Sequence, residues 1–526
     1  MNIPPLEATA DRSLLATLAL RERYRDDYWR SRDPIAHDRL LWRAQTLRHT
    51  VHLLPGQTIL ELGCGELRFT RILRRVTRRE NPITAVTFQT GAPPLTADDA
   101  GIELLPLAAF PGPLAPRRFD CIVAMDLLDR KNSSDLLQIV FQLLAPGGEV
   151  LFYESNPWNP VHRLRAGFSR LFGRHDPRNL LSCPRLYELF SEIGFIRCYA
   201  VFNDFVFAPL TRPLIWLLRN LSILLENAPF ARRLAGSILI HGQKPPRLKE
   251  VPKASLFVHE ALRNAISVVI PCRNEEMNVG PLVTRILELY DEYVHEIIPV
   301  DDCSSDRTYE ILRDLAAQDP RVKPLHRTPP NGVGLAIADG LHAVTGRYAL
   351  TMDCDFQHLL PEFRDLFDRA AEGYDVVIGS RFSRHSVLLN YPFLKIVANR
   401  AFHALARLLL WRQMRDVTNN LKLMRREVVQ DLQLRQPGFA VNAETGLQPL
   451  LLGYRVKEVP ISWINRTPGM GTSSFHLFRV GGGYWRVLFA LWLKSIFGVG
   501  PYRTLRRLPR LENARRSAAK TGVPAR

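Results

Sequence analysis

Tyr348-Ala349-Leu350-Thr351-Met352 reads as a buried strand that runs directly into two carboxylates, Asp353 and Asp355. Side chains alternate faces along a strand, so carboxylates two residues apart project to one side, and Gln357 follows in the same register. Two carboxylates and an amide oxygen make a hard, oxygen-only site for Mg²⁺ or Mn²⁺, and a diphosphate can fill its remaining positions. Transfer from a nucleotide-activated sugar needs such a site.

Two further strand ends carry acids. Ile266-Ser267-Val268-Val269-Ile270-Pro271 is a strand of buried type, followed by Cys272-Arg273-Asn274-Glu275-Glu276 and an amphipathic helix from Val279 to Leu289. Glu296-Ile297-Ile298-Pro299-Val300 ends in Asp301-Asp302-Cys303-Ser304-Ser305-Asp306-Arg307-Thr308, and another helix follows. Open α/β sheets bind nucleotides at the C-terminal ends of their strands. Together these segments resemble the family 2 glycosyltransferases of GT-A fold, most closely the branch of dolichol-phosphate mannose synthases, from about Ala265 to Phe497. The resemblance implies that Pro271, Asn274, Glu275, Asp302, Asp306, Gly334, Asp353 and Arg381 hold the nucleotide-sugar. It also implies that Asp353, Asp355 and Gln357 bind the metal, and it places Asp355 and Arg466 in catalysis.

The acceptor follows from proton chemistry. A hydroxyl must lose its proton during attack and wants a positioned carboxylate, for which Glu444 in Phe439-Ala440-Val441-Asn442-Ala443-Glu444 is the candidate base. A phosphate monoester, with a second pKa of about 6, is already an anion at neutral pH and needs cations to position it. Arg381, Lys422 and Arg466 suit that task, a guanidinium matching phosphate bidentately.

Tyr484 to Phe497 is rich in aromatic and aliphatic residues, with Arg486 and Lys494 near its ends, and is too short to span a bilayer. It reads as an interfacial helix or as a core helix packed on the sheet. Behind it comes an arginine-rich tail opposed only by Glu512, suited to anionic lipid head groups or simply to solvent. Tyr391 to Leu410 is a second apolar stretch, interrupted by Lys395, Arg400, His403 and Arg407. The net charge of +18 favours anionic partners, yet no motif interleaves basic and aromatic residues as nucleic-acid binding requires. The expected partners are a nucleotide-sugar, a polyprenyl phosphate or other membrane lipid, and an anionic membrane surface. Without signal-peptide character at the start, the chain is expected to be cytoplasmic, peripheral on the inner face of the membrane. Its seven cysteines have no zinc spacing and read as reduced thiols.

A chain of 526 residues exceeds a single core. In the first half, Thr58-Ile59-Leu60-Glu61-Leu62-Gly63-Cys64-Gly65-Glu66 is a strand ending in a glycine turn that opens a helix, so that backbone can approach a ligand closely. Phe119 to Asp126 and Val150 to Glu154 read as further buried strands. This half resembles the class I S-adenosylmethionine-dependent methyltransferases from about Leu40 to Pro245, with a terminal antiparallel pair near Val201 to Phe207 and Ser237 to His241. The resemblance implies S-adenosylmethionine as cofactor, held by Glu61, Gly63, Cys64 and Gly65 and at the end of the second strand by Thr87. Thr87 or Gln89 stands there where the family has an acid.

The expected architecture is α/β in two domains: a Rossmann-like methyltransferase sheet over 1–245, a linker over 246–264, a GT-A domain over 265–497, and a basic tail over 498–526. Two functions are open. One is a metal-dependent inverting glycosyltransferase acting on polyprenyl phosphate and fused to a methyltransferase. The other is a glycosyltransferase acting on a sugar or natural-product hydroxyl, with an inactive docking or regulatory scaffold in front.

Overall fold

Ile266 to Cys272 is buried along almost its whole length because the strand lies inside a largely parallel sheet with helices packed against it. The computed structural model describes residues 12–30, 35–89, 93–106, 110–130, 132–171, 180–206, 212–246, 256–354, 357–383, 386–389, 391–464 and 477–505. The chain divides into two units, one of residues 1–252 with 388–393, the other of 253–387 with 394–526.

The first unit contains, in order, α1 (Arg12–Arg30), α2 (Ile35–Val51), β1 (Ile59–Leu62), α3 (Arg68–Val76), β2 (Ile83–Val86), β3 (Ile102–Leu105), β4 (Phe119–Met125), α4 (Ser133–Leu143), β5 (Leu144–Ser155), α5 (Pro160–Leu171), α6 (Cys183–Ile193), β6 (Ile196–Asn203), α7 (Arg212–Asn227) and β7 (Ser237–Gln243). Its sheet runs β3-β2-β1-β4-β5-β7-β6. The first five strands are mutually parallel, and β7 enters antiparallel between β5 and β6. Leu60, Leu62, Val86, Ile122 and Phe152 from the strands meet Leu136, Leu137 and Phe190 in the core, and Leu14 and Leu18 of α1 join them.

The later part of the chain contains β8 (Ile266–Cys272), α8 (Val279–Tyr290), β9 (Val294–Asp301), α9 (Thr308–Gln318), β10 (Leu325–His326), α10 (Val333–His342), β11 (Tyr348–Thr351), α11 (Phe363–Ala371), β12 (Val376–Ser380), a short β13 (Val387–Leu389), α12 (Phe393–Leu410), β14 (Lys422–Arg425), α13 (Arg426–Asp431), α14 (Val441–Leu452), β15 (Val456–Pro460), a short β16 (Ser462–Ile464) and α15 (Leu477–Phe497), all in the second unit apart from residues 388–393. The main sheet runs β10-β9-β8-β11-β14-β12-β15, with β14 antiparallel to both neighbours. Both units are thus mixed α/β built on Rossmann-like parallel strands. Val269, Ile298 and Val300 pack under Ile337 and Leu341 of α10, in one cluster with Phe402, Val487 and Leu491. Among the described residues no helix is long and apolar enough to cross a membrane.

Candidate active site

β9, β8 and β11 are neighbours and parallel, so the residues that follow Asp301, Cys272 and Thr351 emerge at one edge of the sheet. The first two loops are woven together. The Asp302 N–H donates to the Cys272 carbonyl at 2.9 Å, and the Asn274 N–H to the Ser304 hydroxyl at 2.9 Å. The Ser305 N–H returns to the Asn274 amide oxygen at 2.9 Å, and the Glu275 N–H donates to the Thr308 hydroxyl at 2.8 Å. Asn274 and Cys303 both adopt left-handed backbone, at φ 55° and 58°, a conformation that asparagine tolerates well. Asp306 accepts from the Glu276 N–H at 3.2 Å and from the Thr308 N–H at 3.0 Å. Burial pushes its carboxyl up, but the Thr308 and Glu276 donors outweigh that and hold it below its ordinary value.

Asp302 faces the next turn. One of its oxygens pairs with Arg327, and the other accepts the Gly332 N–H at 2.8 Å. Arg327 also pairs with Asp339 at 2.7 Å. The sequence reading missed this arginine, although a basic residue five positions before Gly332 was the available signal. At the start of α10 the Gly334 N–H donates to the Pro437 carbonyl at 2.8 Å, which brings residues 436–438 against the helix N-terminus.

Asp353 accepts the Asn420 side-chain amide at 2.7 Å. Asp355, Arg466 and the side chain of Gln357 lie outside the described residues. Behind Asp353, Lys422 is fully buried, with its ammonium donating to the carbonyls of Asn419 and Asn442. Burial and the Arg381 charge push it down to about 7, against the upward pull of Asp416 and Asp353.

Three residues expected at the acceptor side have structural partners instead: Lys422, whose ammonium is held by the carbonyls of Asn419 and Asn442, Arg381 and Glu444. Arg381 is bound bidentately by Asp416, at 2.7 and 2.9 Å, so its fork is committed within the protein rather than presented to a phosphate. Glu444, the expected base, is fully buried. It accepts the N–H groups of Arg435 at 3.0 Å and Gln436 at 3.1 Å and the Tyr502 hydroxyl at 2.5 Å, which ties down the 435–438 turn. Pro271 is half-buried at the end of β8.

In the first unit, Gly63 and Gly65 follow β1 at φ 70° and 52°, and the Cys64 N–H donates to the Val86 carbonyl at 2.8 Å. Burial pushes the Cys64 thiol up and lifts the Glu61 carboxyl to about 7. Thr87 is buried just beyond β2 and accepts the Gln89 N–H at 3.2 Å. The sequence reading missed the three residues of α1 that reach this loop, Glu22, Arg25 and Asp26.

Acids gathered after three adjacent parallel strands form the crevice in which α/β proteins hold nucleotides. Residues 267–433 match glycosyl transferase family 2. The chain is 31% identical over 208 residues to a dolichol-phosphate mannosyltransferase of Pyrococcus furiosus, covering 39% of this chain and 58% of that protein. It is 31% identical over 214 residues to a polyprenol monophosphomannose synthase of Mycolicibacterium smegmatis, covering 39% of this chain and 80% of that one. A dolichyl-phosphate hexose transferase of Haloferax volcanii is 31% identical over 204 residues, covering 38% of this chain and 83% of its own. The match thus spans little more than half the length of the Pyrococcus relative. A glucosyl-3-phosphoglycerate synthase structure from Mycobacterium tuberculosis aligns at TM-score 0.35 and 22% identity, covering 46% of this chain and 82% of that one, a distant likeness. The chain belongs to glycosyl transferase family 2.

Proposed function

We propose that the chain moves a sugar from a nucleotide-sugar to a polyprenyl phosphate, inverting the anomeric centre. The observation that carries this reading is the set of acidic loops that leave one edge of the sheet after β8, β9 and β11, the first two hydrogen-bonded to each other, in a family 2 domain. The relatives' names, each containing a dolichyl or polyprenyl phosphate, supply the acceptor class. Asp353, Asp355 and Gln357 would hold Mg²⁺ or Mn²⁺, and oxygen donors after a strand end fit such an ion. When bound, the ion neutralises the departing diphosphate. An acceptor phosphate oxygen attacks the anomeric carbon as the bond to the nucleotide diphosphate breaks, and no proton has to leave. The burial of Glu444 behind its own turn supports that economy over hydroxyl transfer.

A peripheral membrane position goes with this acceptor. α12 leaves Leu394, Val397 and Leu408 exposed, and α15 leaves Phe489, Leu493, Ile496 and Phe497 exposed. Neither helix carries an acidic residue. For the first unit, the order β3-β2-β1-β4-β5-β7-β6 with an inserted antiparallel β7 supports the methyltransferase-like reading.

The test is label transfer from nucleotide-sugars to polyprenyl phosphate with and without Mn²⁺. Label should enter the lipid fraction, and chelation or Asp353→Asn should abolish it. Label that reaches only a water-soluble hydroxyl acceptor, in a reaction that Glu444→Gln stops, would overturn the reading.

A further inference from the structure

α1 lies across the C-terminal ends of β1, β2 and β4 with Arg21, Glu22, Arg25 and Asp26 turned into the protein and Arg23 and Asp27 exposed. Glu22 is fully buried; one carboxylate oxygen accepts the Gly65 N–H at 2.7 Å and the other the Phe88 N–H at 2.6 Å. Asp26 accepts the Gln89 side-chain amide at 2.6 Å. It sits so close to the glycine turn that a methyl group on Gly65 would come within 2.1 Å of its oxygen. Arg25 donates to Asp26 at 3.0 Å and to the Met125 carbonyl at 3.2 Å. Arg21 donates to the Asp126 carbonyl at 3.0 Å and lies 3.8 Å from Glu154. Nearer its start, the same face of the helix buries Leu14 and Leu18 in the core.

Burying charges is costly unless they are paired and hydrogen-bonded. These are, to one another and to backbone groups at three strand ends, which makes α1 a built part of the crevice rather than a passing contact. The crevice is also where an open α/β sheet would hold a ligand, and the amides of Gly65 and Phe88 are donors that such a ligand would use. Among the described residues, a small opening beside Arg25, Asp26, Glu61 and Cys64 measures about 20 Å³. That is room for about one water molecule. With α1 docked, Glu22 takes the donors of the glycine turn and the strand that follows it, and Asp26 fills the space above Gly65 that a ligand at this turn would use.

We propose that α1 is the internal occupant of this unit's nucleoside crevice, its Glu22 and Asp26 carboxylates holding the donors of the glycine loop, and that an S-adenosyl ligand enters only when α1 is displaced. The ligand class rests on the methyltransferase-like reading of the unit; the occupancy by α1 does not. The experiment uses the full chain, with S-adenosylhomocysteine as probe in calorimetry and hydrogen exchange read at the Gly65 and Phe88 amides. Wild type should give no heat at millimolar probe and slow exchange at both amides. Glu22→Ala/Asp26→Ala should speed that exchange and bind the probe at least about tenfold more tightly than wild type. Glu22→Gln keeps the side-chain volume while turning an amide N–H toward a backbone N–H, and it carries the same test if the double variant does not fold. Tight binding by wild type would overturn the occupancy. Faster exchange without any gain in binding would overturn the S-adenosyl ligand while leaving the glycosyltransferase assignment untouched.

Discussion

Gly334 at the start of α10 and Gly438 in the turn packed against it predict opposite outcomes. A Cβ on Gly334 would lie 2.1 Å from the Gln436 carbonyl and 2.6 Å from that of Gly438, both backbone atoms that cannot swing away. Gly334→Ala should therefore cost about 1–3 kcal/mol, as overpacking does, and should weaken nucleotide-sugar binding measured by thermal shift. Gly438→Ala meets nothing within 4 Å and should stay within about 0.5 kcal/mol of wild type. A second residue-scale prediction concerns pH. Burial lifts Glu61 from 4.5 to about 7, against the pull of Thr70 and Arg25. Between those values the folded chain keeps a proton that the unfolded chain has released, so folding stability declines as pH rises through that window and levels off above it. The decline from this group is on the order of 3 kcal/mol. Glu61→Gln should lack it, which unfolding midpoints of the first unit at pH 5 and pH 8 would check. Equal pH dependence in the two proteins would show that the carboxyl titrates normally.

At the scale of elements, α15 packs one face into the core and leaves apolar residues exposed on the other. Val487, Leu488 and Leu491 are buried in the core, whereas Phe489, Leu493, Ile496 and Phe497 are exposed. Trp485 packs on Phe402 with ring centroids 5.4 Å apart, so it belongs to the inner face. Changing Phe489, Leu493 and Phe497 to Ser should weaken vesicle binding at every salt concentration, because apolar burial is not screened. Trp485→Ala should instead lower the unfolding midpoint and leave binding nearly intact; loss of binding with unchanged stability would reverse that assignment. The strands were legible in the sequence because each is short, apolar and closed by acids or glycine, as at Ile266 to Glu275 and Thr58 to Gly65. The side-chain partners were not. Arg381 and Asp416 lie 35 positions apart, and Glu22 meets Phe88 across 66; no periodicity links such residues, and only the folded sheet brings them together. α1 was also hard to read because its inward face changes from Leu14 and Leu18 to Arg21, Glu22, Arg25 and Asp26, which breaks the apolar stripe by which a buried helix is recognised.

For the whole molecule, the proposed membrane attraction has two separable sources, net charge and apolar surface. The chain carries +18, and residues 506–526 hold seven Lys or Arg against the single Glu512. A polybasic segment near an anionic surface contributes about 1 kcal/mol per charge, and salt at 0.1 M screens it over about 10 Å. The position of the cut decides what a deletion measures. Tyr502 and Leu505 are buried in the core of the second unit, and the Tyr502 hydroxyl holds Glu444. A truncation at Gly500 would therefore remove a core anchor along with the tail and confuse folding with binding. Deleting 506–526 leaves both residues in place. That variant should keep the unfolding midpoint of the full chain and lose affinity for anionic vesicles mainly at low ionic strength, converging with wild type as salt is raised. The residual, salt-insensitive binding would belong to the exposed faces of α12 and α15. If the truncated chain binds anionic vesicles as tightly as the full chain at low salt, the tail has no part in membrane attraction and the apolar faces act alone.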